Sequence, residues 1–531
     1  MPKNRENKYF NESFEVNQGL RSYFGRVVKG QQEIYDTPFA RGESTKEMLG
    51  KWIAILKSID KDWPSLYKYE IDLANKVGPM SVMKPLRDRM TDIESYYEGI
   101  LLPSTDLESR SLKAVISEFA QVRGLSKRGI TRTVELMKKS TNSGSPYFTK
   151  RRRVTDETVP CSVWAWRDEV LQDLPQRTWT AAAVLGWRGQ EGGPSPKDVK
   201  QRVVWMFPYA VNIEELSVYQ PLIEKVQSFN LVPAWVSMES VDRRITAMFD
   251  TKASNDLVVC TDFSKFDQHF NPKMQDAARS ILKAILTPGM TSERWLNEVY
   301  PIKYMIPLAY DVGKVKFGLH GMGSGSGGTN ADETLAHRAL QYEAAQLAGA
   351  RLNPNSQCLG DDGVLTYPGI TVEDVVNAYS AHGLEMNADK QYASTQDCTY
   401  LRRWHHIKYR QGGVCVGVYS TCRALGRLRY LERFQDPRYW DSKAVALRQL
   451  SILENVKYHP LKEQFVEFCM ARDKYRLGID IPHFLDDIAE IAKEKIEDMP
   501  DFLGYTRTLQ AGSDPTGGIA NWWIVRYLKS K

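Results

Sequence analysis

Apolar positions recur at helical spacing along residues 44–57 and 111–121, and polar stretches bearing glycine and proline separate them. The pattern predicts a first half built mainly of helices. One break, 140–146 (S-T-N-S-G-S-P), runs into a basic cluster at 150–153. Another, 189–200, leads into a compact apolar strand candidate at 202–207. From about Asp256 the pattern changes, and short apolar runs end abruptly in acidic turns. Residues 257–260 (L-V-V-C) read as a buried strand that meets T-D-F-S-K-F-D. Cys358 and Leu359 meet Gly360-Asp361-Asp362-Gly363, and Val364 to Tyr367 follow, which reads as strand, tight turn, strand. Residues 331–348 read as continuous helix. Helical spacing returns at 443–455, 461–474 and 483–495, and no internal repeat is present.

Composition narrows the class. With 531 residues and 42% hydrophobic positions, the chain is long enough for several domains or one multi-lobed enzyme. A net charge of +6 and a pI of about 8.7 favour a polyanionic partner if the charge is gathered on one surface. The runs 138–139, 150–153 and 427–429 point that way, although any one of them alone reads equally well as a solvated face. Seven scattered cysteines without a C-x-x-C pair argue against a disulfide framework or a zinc site and fit a reducing compartment. The first residues are polar, and no apolar run approaches the roughly 18 residues of a membrane span, so a soluble intracellular protein with no membrane partner is expected.

Asp262 and Asp267 sit at the end of one strand candidate, and Asp361 and Asp362 at the tip of a later hairpin. Aspartates crowded at strand ends repel one another, and hard cations with oxygen ligands such as Mg²⁺ relieve the repulsion. Two such ions roughly 3.5 to 4 Å apart serve in-line phosphoryl chemistry. A lone G-D-D is an ordinary turn signal, and D-x-x-x-x-D is common by chance; their combination is far more specific. Between the two acidic tips lies G-M-G-S-G-S-G-G-T-N (321–330). Gly323, Gly325 and Gly328 spell the dinucleotide fingerprint, which also needs an acid about 20 positions on at the end of a second strand. Glu343 has the spacing but lies within the helical run, and no lysine follows the glycines as a Walker A loop requires. A non-catalytic RNA-binding or capsid protein would explain the basic runs but not four aspartates at two strand ends.

The order D-x-x-x-x-D, S-G-x-x-x-T, G-D-D resembles motifs A, B and C of viral RNA-dependent RNA polymerases. Further matches flank it in the family's order. Lys200-Gln201-Arg202-Val203-Val204 is similar to motif F, and 142–147 (N-S-G-S-P-Y) to the template-side motif G. Residues 383–390 (G-L-E-M-N-A-D-K) are similar to motif D, and 400–404 (Y-L-R-R-W) to the primer-grip motif E. The glycine loop, the length and the DFSKFD form of motif A look most like the picobirnavirus enzymes, with partitiviruses next.

The resemblance implies an α+β right hand of fingers, palm and thumb with a closed, encircled active site and a mainly helical amino-terminal region and thumb. The divisions expected are an amino-terminal region bridging fingers and thumb (1–60), fingers (61–255), palm motif A (256–270), a fingers insertion (271–318), palm motifs B to E (319–409), and a thumb with carboxy-terminal tail (410–531).

The implied activity is template-directed RNA synthesis for a double-stranded RNA virus. Asp262 and Asp361 would hold two Mg²⁺, with Mn²⁺ as a substitute and Asp362 in support. Lys390 would protonate the departing pyrophosphate, Lys200 and Arg202 would neutralise the triphosphate, and Asp267 would sense the ribose. Ser324, Gly325, Thr329 and Asn330 would contact nucleotide and template. Ser143, Lys150 and Arg151 would meet template phosphates, and Tyr400, Arg402 and Arg403 would grip the product. Trp404 reads more readily as core.

One departure stands out. Many relatives place an asparagine four residues after the motif B threonine to position the second motif A aspartate, and Glu333 stands there instead. Either Asn330 takes over that contact or ribose discrimination is arranged differently. A reverse transcriptase shares this palm, but Asp267 stands in the gate region where such enzymes usually carry an aromatic. The implied partners are single-stranded RNA template, double-stranded RNA product, ribonucleoside triphosphates and viral capsid protein, inside a virus particle and in the host cytoplasm. At the carboxy terminus, flexible 512–518 and the aromatic, cationic 521–531 suggest either a plug in the active-site channel or a tail packed on the thumb.

Overall fold

Four small sheets, rather than one large one, carry the strands of the computed structural model, which describes residue 9, residues 17–496, residue 498 and residues 517–531. Strands β1 (Ser162–Trp166), β2 (Glu169–Asp173) and β3 (Thr178–Ala181) form an antiparallel meander. β4 (Ala183–Gln190) and β5 (Lys200–Met206) make a long hairpin whose register sets Arg188 opposite Arg202 and Gln190 opposite Lys200. β6 (Val258–Thr261) is buried at all four positions, as its unbroken apolar run requires of a strand covered on both faces. β7 (Leu308–Asp311) and β8 (Lys314–Lys316) extend the β4–β5 sheet.

The central sheet has the order β11-β6-β10-β9, with β9 (Gln357–Leu359), β10 (Asp362–Leu365) and β11 (Tyr392–Ser394), and is antiparallel throughout. Because Gly363 pairs with Thr261, the next residue after β6, Asp262, leaves the sheet beside the β9–β10 turn. A last sheet joins β12 (Asp397–Tyr400), β13 (Arg403–His406) and β14 (Val418–Tyr419).

Helix Thr329–Leu347 packs against β9 and against helices Ser109–Glu118, Pro272–Ile285 and Val372–Ser380. It is buried on nearly every side although its sequence is polar all round, so each buried polar group needs its own partner. Asp332 accepts hydrogen bonds from Tyr219 (2.7 Å) and Tyr304 (2.6 Å) and pairs with the fully buried Lys303 (3.0 Å). Arg338 grips Glu118, and His382 meets Glu343 at 3.1 Å. His337 and Thr334 hold the β9–β10 turn through the carbonyl of Gly360 (2.8 Å) and its N–H (2.9 Å). Residue 363 must be glycine there, since a Cβ would lie 2.7 Å from the His337 ring.

The carboxy-terminal helices Thr421–Arg429, Ser442–Glu454, Lys462–Met470 and Ile488–Lys495 share one apolar core with the amino-terminal helices Thr45–Leu56 and Pro64–Ala74. Trp52 meets Phe465 edge to face at 4.9 Å and donates to Thr421 Oγ1 at 2.8 Å. No change of core marks residue 60, where a boundary is expected, because both flanking helices bury into the same cluster. Tyr9, Leu20 and Phe24 pack instead on the β4–β7–β8 sheet. The ends of that sheet also reach the carboxy-terminal body directly, through Glu191 on Arg423 and on Arg427 (3.3 Å).

Residues 517–531 lie on the same body. Helix Trp523–Lys529 buries Ile524, Val525 and Leu528, and Glu454 accepts the N–H groups of Trp523 (3.2 Å) and Ile524 (2.9 Å). This packing is that of a tail set on the carboxy-terminal helices, the second of the two arrangements expected. Residues 512–516 of the expected flexible stretch fall outside the described residues. Among the described residues no helix is long and apolar enough to cross a membrane.

Candidate active site

Two carboxylates from neighbouring strand ends face solvent: Asp262 after β6 and Asp361 in the β9–β10 turn. The backbone at Asp262 is clamped by Gln391, which accepts its N–H (2.7 Å) and donates to its carbonyl (2.9 Å). Desolvation in the cleft, and then the charge of Asp361, push the Asp262 carboxyl above its ordinary range. Lys200, Lys390 and Lys76 pull the other way. Asp362 faces elsewhere. Its Oδ2 accepts the Leu401 N–H at 2.8 Å, and burial followed by Asp361 pushes its carboxyl up to about 7. It thereby holds the β12–β13 turn, in which Leu401 and Arg402 adopt φ of +53° and +59°. In this placement Asp362 anchors the turn at the edge of the site, with Oδ2 on the Leu401 N–H.

Cations from separate segments surround this pair. The β4–β5 register brings Lys200 and Arg202 to its rim, and Lys390 ends a short turn capped by Asn387. Burial, then Arg202, Arg402 and Lys76, depress the Lys200 ammonium, while Asp262 raises it. Arg402, although its side chain reaches solvent, is depressed to about 10 by desolvation from the surrounding protein and by Arg423, with Arg427 and Arg202 adding to the effect against Glu191. Like charges held this close favour an anionic ligand among them.

The glycine loop is carried on one stripe of helix Tyr209–Ser228, since Asn212, Glu215 and Tyr219 recur at helical spacing on a common face. The Glu215 carboxylate accepts from Ser326 Oγ, Gly327 N (3.2 Å) and Asn212 Nδ2 (3.1 Å). At Gly325, with φ +125°, a Cβ would meet the Trp205 carbonyl at 2.0 Å, so only glycine fits. Ser324 donates to the Asp267 carboxylate. Thr329 Oγ1 turns back to the Ser326 carbonyl (3.3 Å), and Asn330 Oδ1 accepts from Trp235 (2.7 Å). The Asn330 side chain is thus directed to Trp235, and it is Glu333 that reaches Asp267.

Several expected RNA contacts face inward. Ser143 is 1% exposed and accepts the Thr149 N–H (3.1 Å). Arg151 donates to the Lys138 carbonyl (3.2 Å) and to Asn212 (2.7 Å). Tyr400 is buried in the core, and Arg403 makes a bidentate pair with Asp242 at 2.6 and 2.9 Å. Lys150 and Arg402 remain exposed. Trp404 is core, as expected. The strands flanking the glycine loop and its helix, β8 and β9, belong to different sheets, so the loop opens no dinucleotide-binding βαβ unit.

A family model described as viral RNA-dependent RNA polymerase matches residues 92–415, which spans every acidic and glycine element above. The chain belongs to that family. It is an RNA-directed RNA polymerase. A potential RNA-dependent RNA polymerase of human picobirnavirus (strain Human/Thailand/Hy005102/-) is 60% identical over 528 residues, covering 99% of this chain and 98% of the relative. The crystal structure of the RNA-dependent RNA polymerase of a human picobirnavirus superposes with a TM-score of 0.94 at 59% identity, covering 99% of each chain. An insertion-loop deletion mutant of such an enzyme gives 0.92 at 57%, again with 99% of each chain covered.

Sequence reasoning missed four residues that shape this polymerase's site: Lys76, Glu215, Glu333 and Gln391. Gln391 directly follows the motif D lysine, and Glu333 was visible as a departure from the family pattern. Lys76 and Glu215 carry no local signal, because only the fold brings them to the site.

Proposed function

We propose that this polymerase copies single-stranded RNA by attack of an RNA 3′-hydroxyl on the α-phosphate of a paired ribonucleotide, with pyrophosphate leaving, in the replication and transcription of a double-stranded RNA genome. The observation that carries the reading is the pair of open carboxylates, Asp262 and Asp361, set side by side by the Thr261–Gly363 register within a ring of cations.

The donor set fits Mg²⁺, with Mn²⁺ as a substitute, because it offers hard oxygens whose mutual repulsion a cation relieves. Among the described residues no group of three His, Cys, Asp or Glu side chains closes around one point. That suits ions held by one or two carboxylates and completed by substrate phosphates. Bound there, the ions would activate the attacking hydroxyl and offset charge on the leaving oxygen. Lys200 and Arg202 would hold the triphosphate, Lys390 would give a proton to pyrophosphate, and Asp267 would face the ribose. Exposed Lys150 and Arg402 would meet RNA phosphates.

A right hand with an encircled site follows if Tyr9, Leu20 and Phe24 on the β4–β7–β8 sheet, residues 39–74 on the carboxy-terminal body, and the Glu191 ion pairs close the ring. The likeness to picobirnavirus enzymes supports work inside a virus particle with capsid protein as partner, in the host cytoplasm. The test is incubation of the enzyme with single-stranded RNA, Mg²⁺ or Mn²⁺, and ribo- or deoxyribonucleotides. Template-length product from ribonucleotides, abolished by Asp361→Asn with RNA binding retained, is expected. Product from deoxyribonucleotides alone would favour the reverse-transcriptase reading instead.

A further inference from the structure

β11 runs antiparallel to β6, with Tyr392 opposite Cys260, Ala393 opposite Val259 and Ser394 opposite Val258. Carried further outward, that register would set Gln391 opposite Thr261 and Lys390 opposite Asp262. The backbone does not continue it, because residues 388–390 tighten into a short helical turn capped by Asn387. The Gln391 side chain takes its place. Its Oε1 accepts the Asp262 N–H at 2.7 Å, and its Nε2 donates to the Asp262 carbonyl at 2.9 Å. These are the two hydrogen bonds that a paired backbone residue exchanges in an antiparallel ladder.

The same Nε2 also donates to the Asn387 carbonyl at 2.9 Å, so one amide joins the strand end to the turn. The two sides of that joint are not equally secure. The end of β6 is held from its other edge as well, where Thr261 pairs with Gly363. The turn is otherwise held by itself. Asn387 Oδ1 accepts the Asp389 N–H (2.9 Å), the Asn387 carbonyl accepts the Lys390 N–H (3.0 Å), and the Ala388 carbonyl accepts the Gln391 N–H (3.3 Å). Upstream, the nearest backbone tie to the strand end is the Ser264 N–H on the Glu385 carbonyl at 3.0 Å, five residues before Lys390. Lys390 is exposed, with a long stem free to sample rotamers, so the region its ammonium visits is set by where its backbone is pinned.

We propose that Gln391 is a positioning residue for Lys390: by completing the β6–β11 ladder with its side chain, it pins the lysine backbone beside Asp262 and so directs the ammonium to the leaving pyrophosphate. This rests on the reading of Lys390 as the proton donor. In that step the bond from the α-phosphorus to the bridging oxygen breaks, the oxygen keeps the electron pair and takes a proton from Nζ, and Lys390 is left as a neutral amine. A donor displaced by roughly 1 Å loses much of its advantage. Binding of the nucleotide, through the triphosphate cations Lys200 and Arg202, does not depend on the joint.

The test measures single-turnover nucleotide addition by the full-length enzyme on single-stranded RNA with Mg²⁺, for Gln391→Met, Lys390→Met and the double variant. Methionine keeps the length of the side chain without either hydrogen bond. Gln391→Met should lower the saturating rate roughly tenfold or more, with the half-saturating nucleotide concentration within about twofold of wild type. In the double variant the rate should equal that of Lys390→Met alone, since a joint that acts through the lysine has nothing left to position. Losses that multiply would show that Gln391 acts independently of Lys390 and would overturn the proposal. A wild-type rate in Gln391→Met, with Lys390→Met impaired, overturns the proposal and leaves the proton-donor reading standing. A wild-type rate in Lys390→Met removes both. Should Gln391→Met not fold, Gln391→Glu carries the same comparison, because it keeps the acceptor for the Asp262 N–H and turns an oxygen toward the two carbonyls.

Discussion

Two acidic centres of this polymerase, close in the fold, are built on opposite principles. At Asp332 the protein completes the charge: two tyrosine hydroxyls and a buried lysine fill both oxygens, and all four residues are buried. At Asp262 and Asp361 the charge is left incomplete. Their carboxylates accept no hydrogen bond among the described residues, they face solvent, and the charge of Asp361 bears on the Asp262 carboxyl. An acid that serves the fold is closed by the fold, and one that serves a ligand is held open for it at some cost in stability.

Removing the open charge should have the largest effect and split activity from stability. Asp361→Asn is expected to lower the rate of nucleotide addition roughly a thousandfold or more, as loss of a metal-holding carboxylate requires. Its thermal midpoint without divalent ions should hold or rise, since a like charge beside Asp262 is gone. A fall in midpoint matching the loss of activity would erase the distinction between the centres. Asp332→Ala should do the reverse. Leaving Lys303 buried and unpaired costs about 3–5 kcal/mol, readable as a lower unfolding midpoint, with activity lost in proportion to folded protein.

His337 joins the two centres, because it projects from the closed helix and props the open turn through the Gly360 carbonyl. Burial is the main cause holding its pKa down, to about 4. A histidine kept neutral by the fold contributes stability that is present above its unfolded value near 6.5 and is lost as pH falls toward 4. The unfolding midpoint should therefore decline over that window, and His337→Asn should flatten part of the decline. Two further buried histidines, His320 and His405, are also held at about 4, so only part of it belongs to His337. An unchanged profile in the variant would assign the effect to other groups, among them His320, His405 and His406, which is also lowered.

What the sequence made legible follows the same division. The strand expected at 202–207 is Lys200–Met206, that at 257–260 is Val258–Thr261, and the helix expected at 331–348 is Thr329–Leu347. Local patterning suffices for these, and it suffices to expect Asp262 and Asp361 at the ends of strands, where they lie. The helix expected at 461–474 ends at Met470, and that at 483–495 begins only at Ile488, because the intervening chain turns through positive φ at Arg476, Leu477 and His483. Long-range partners were not legible. Arg403 looked free to grip RNA until Asp242, 161 positions away, was seen to hold it, and Arg151 is turned inward by Asn212 in the same way. Whether a polar side chain is open or closed depends on residues that no local window contains.

Lys76 is the smallest and sharpest case. It follows helix Pro64–Ala74, and its segment interlocks with the end of β4 and the loop after it: a Cβ on Gly78 would lie 1.8 Å from the Gly193 carbonyl, and one on Gly189 would lie 1.8 Å from that of Met80. Val77 packs beneath Gly426 of helix Thr421–Arg429. Three distant stretches of chain thus fix an exposed ammonium whose charge acts on both Asp262 and Lys200. If the open centre is completed from outside by cations and substrate together, Lys76→Gln should raise the KM for nucleotides roughly three- to tenfold with kcat little changed. Lys76→Arg should restore it, and added salt should shrink the difference. A fall in kcat at constant KM would mean that Lys76 matters to the interlock and not through its charge. A KM equal to wild type would confine the cations of the open centre to Lys200, Arg202 and Lys390.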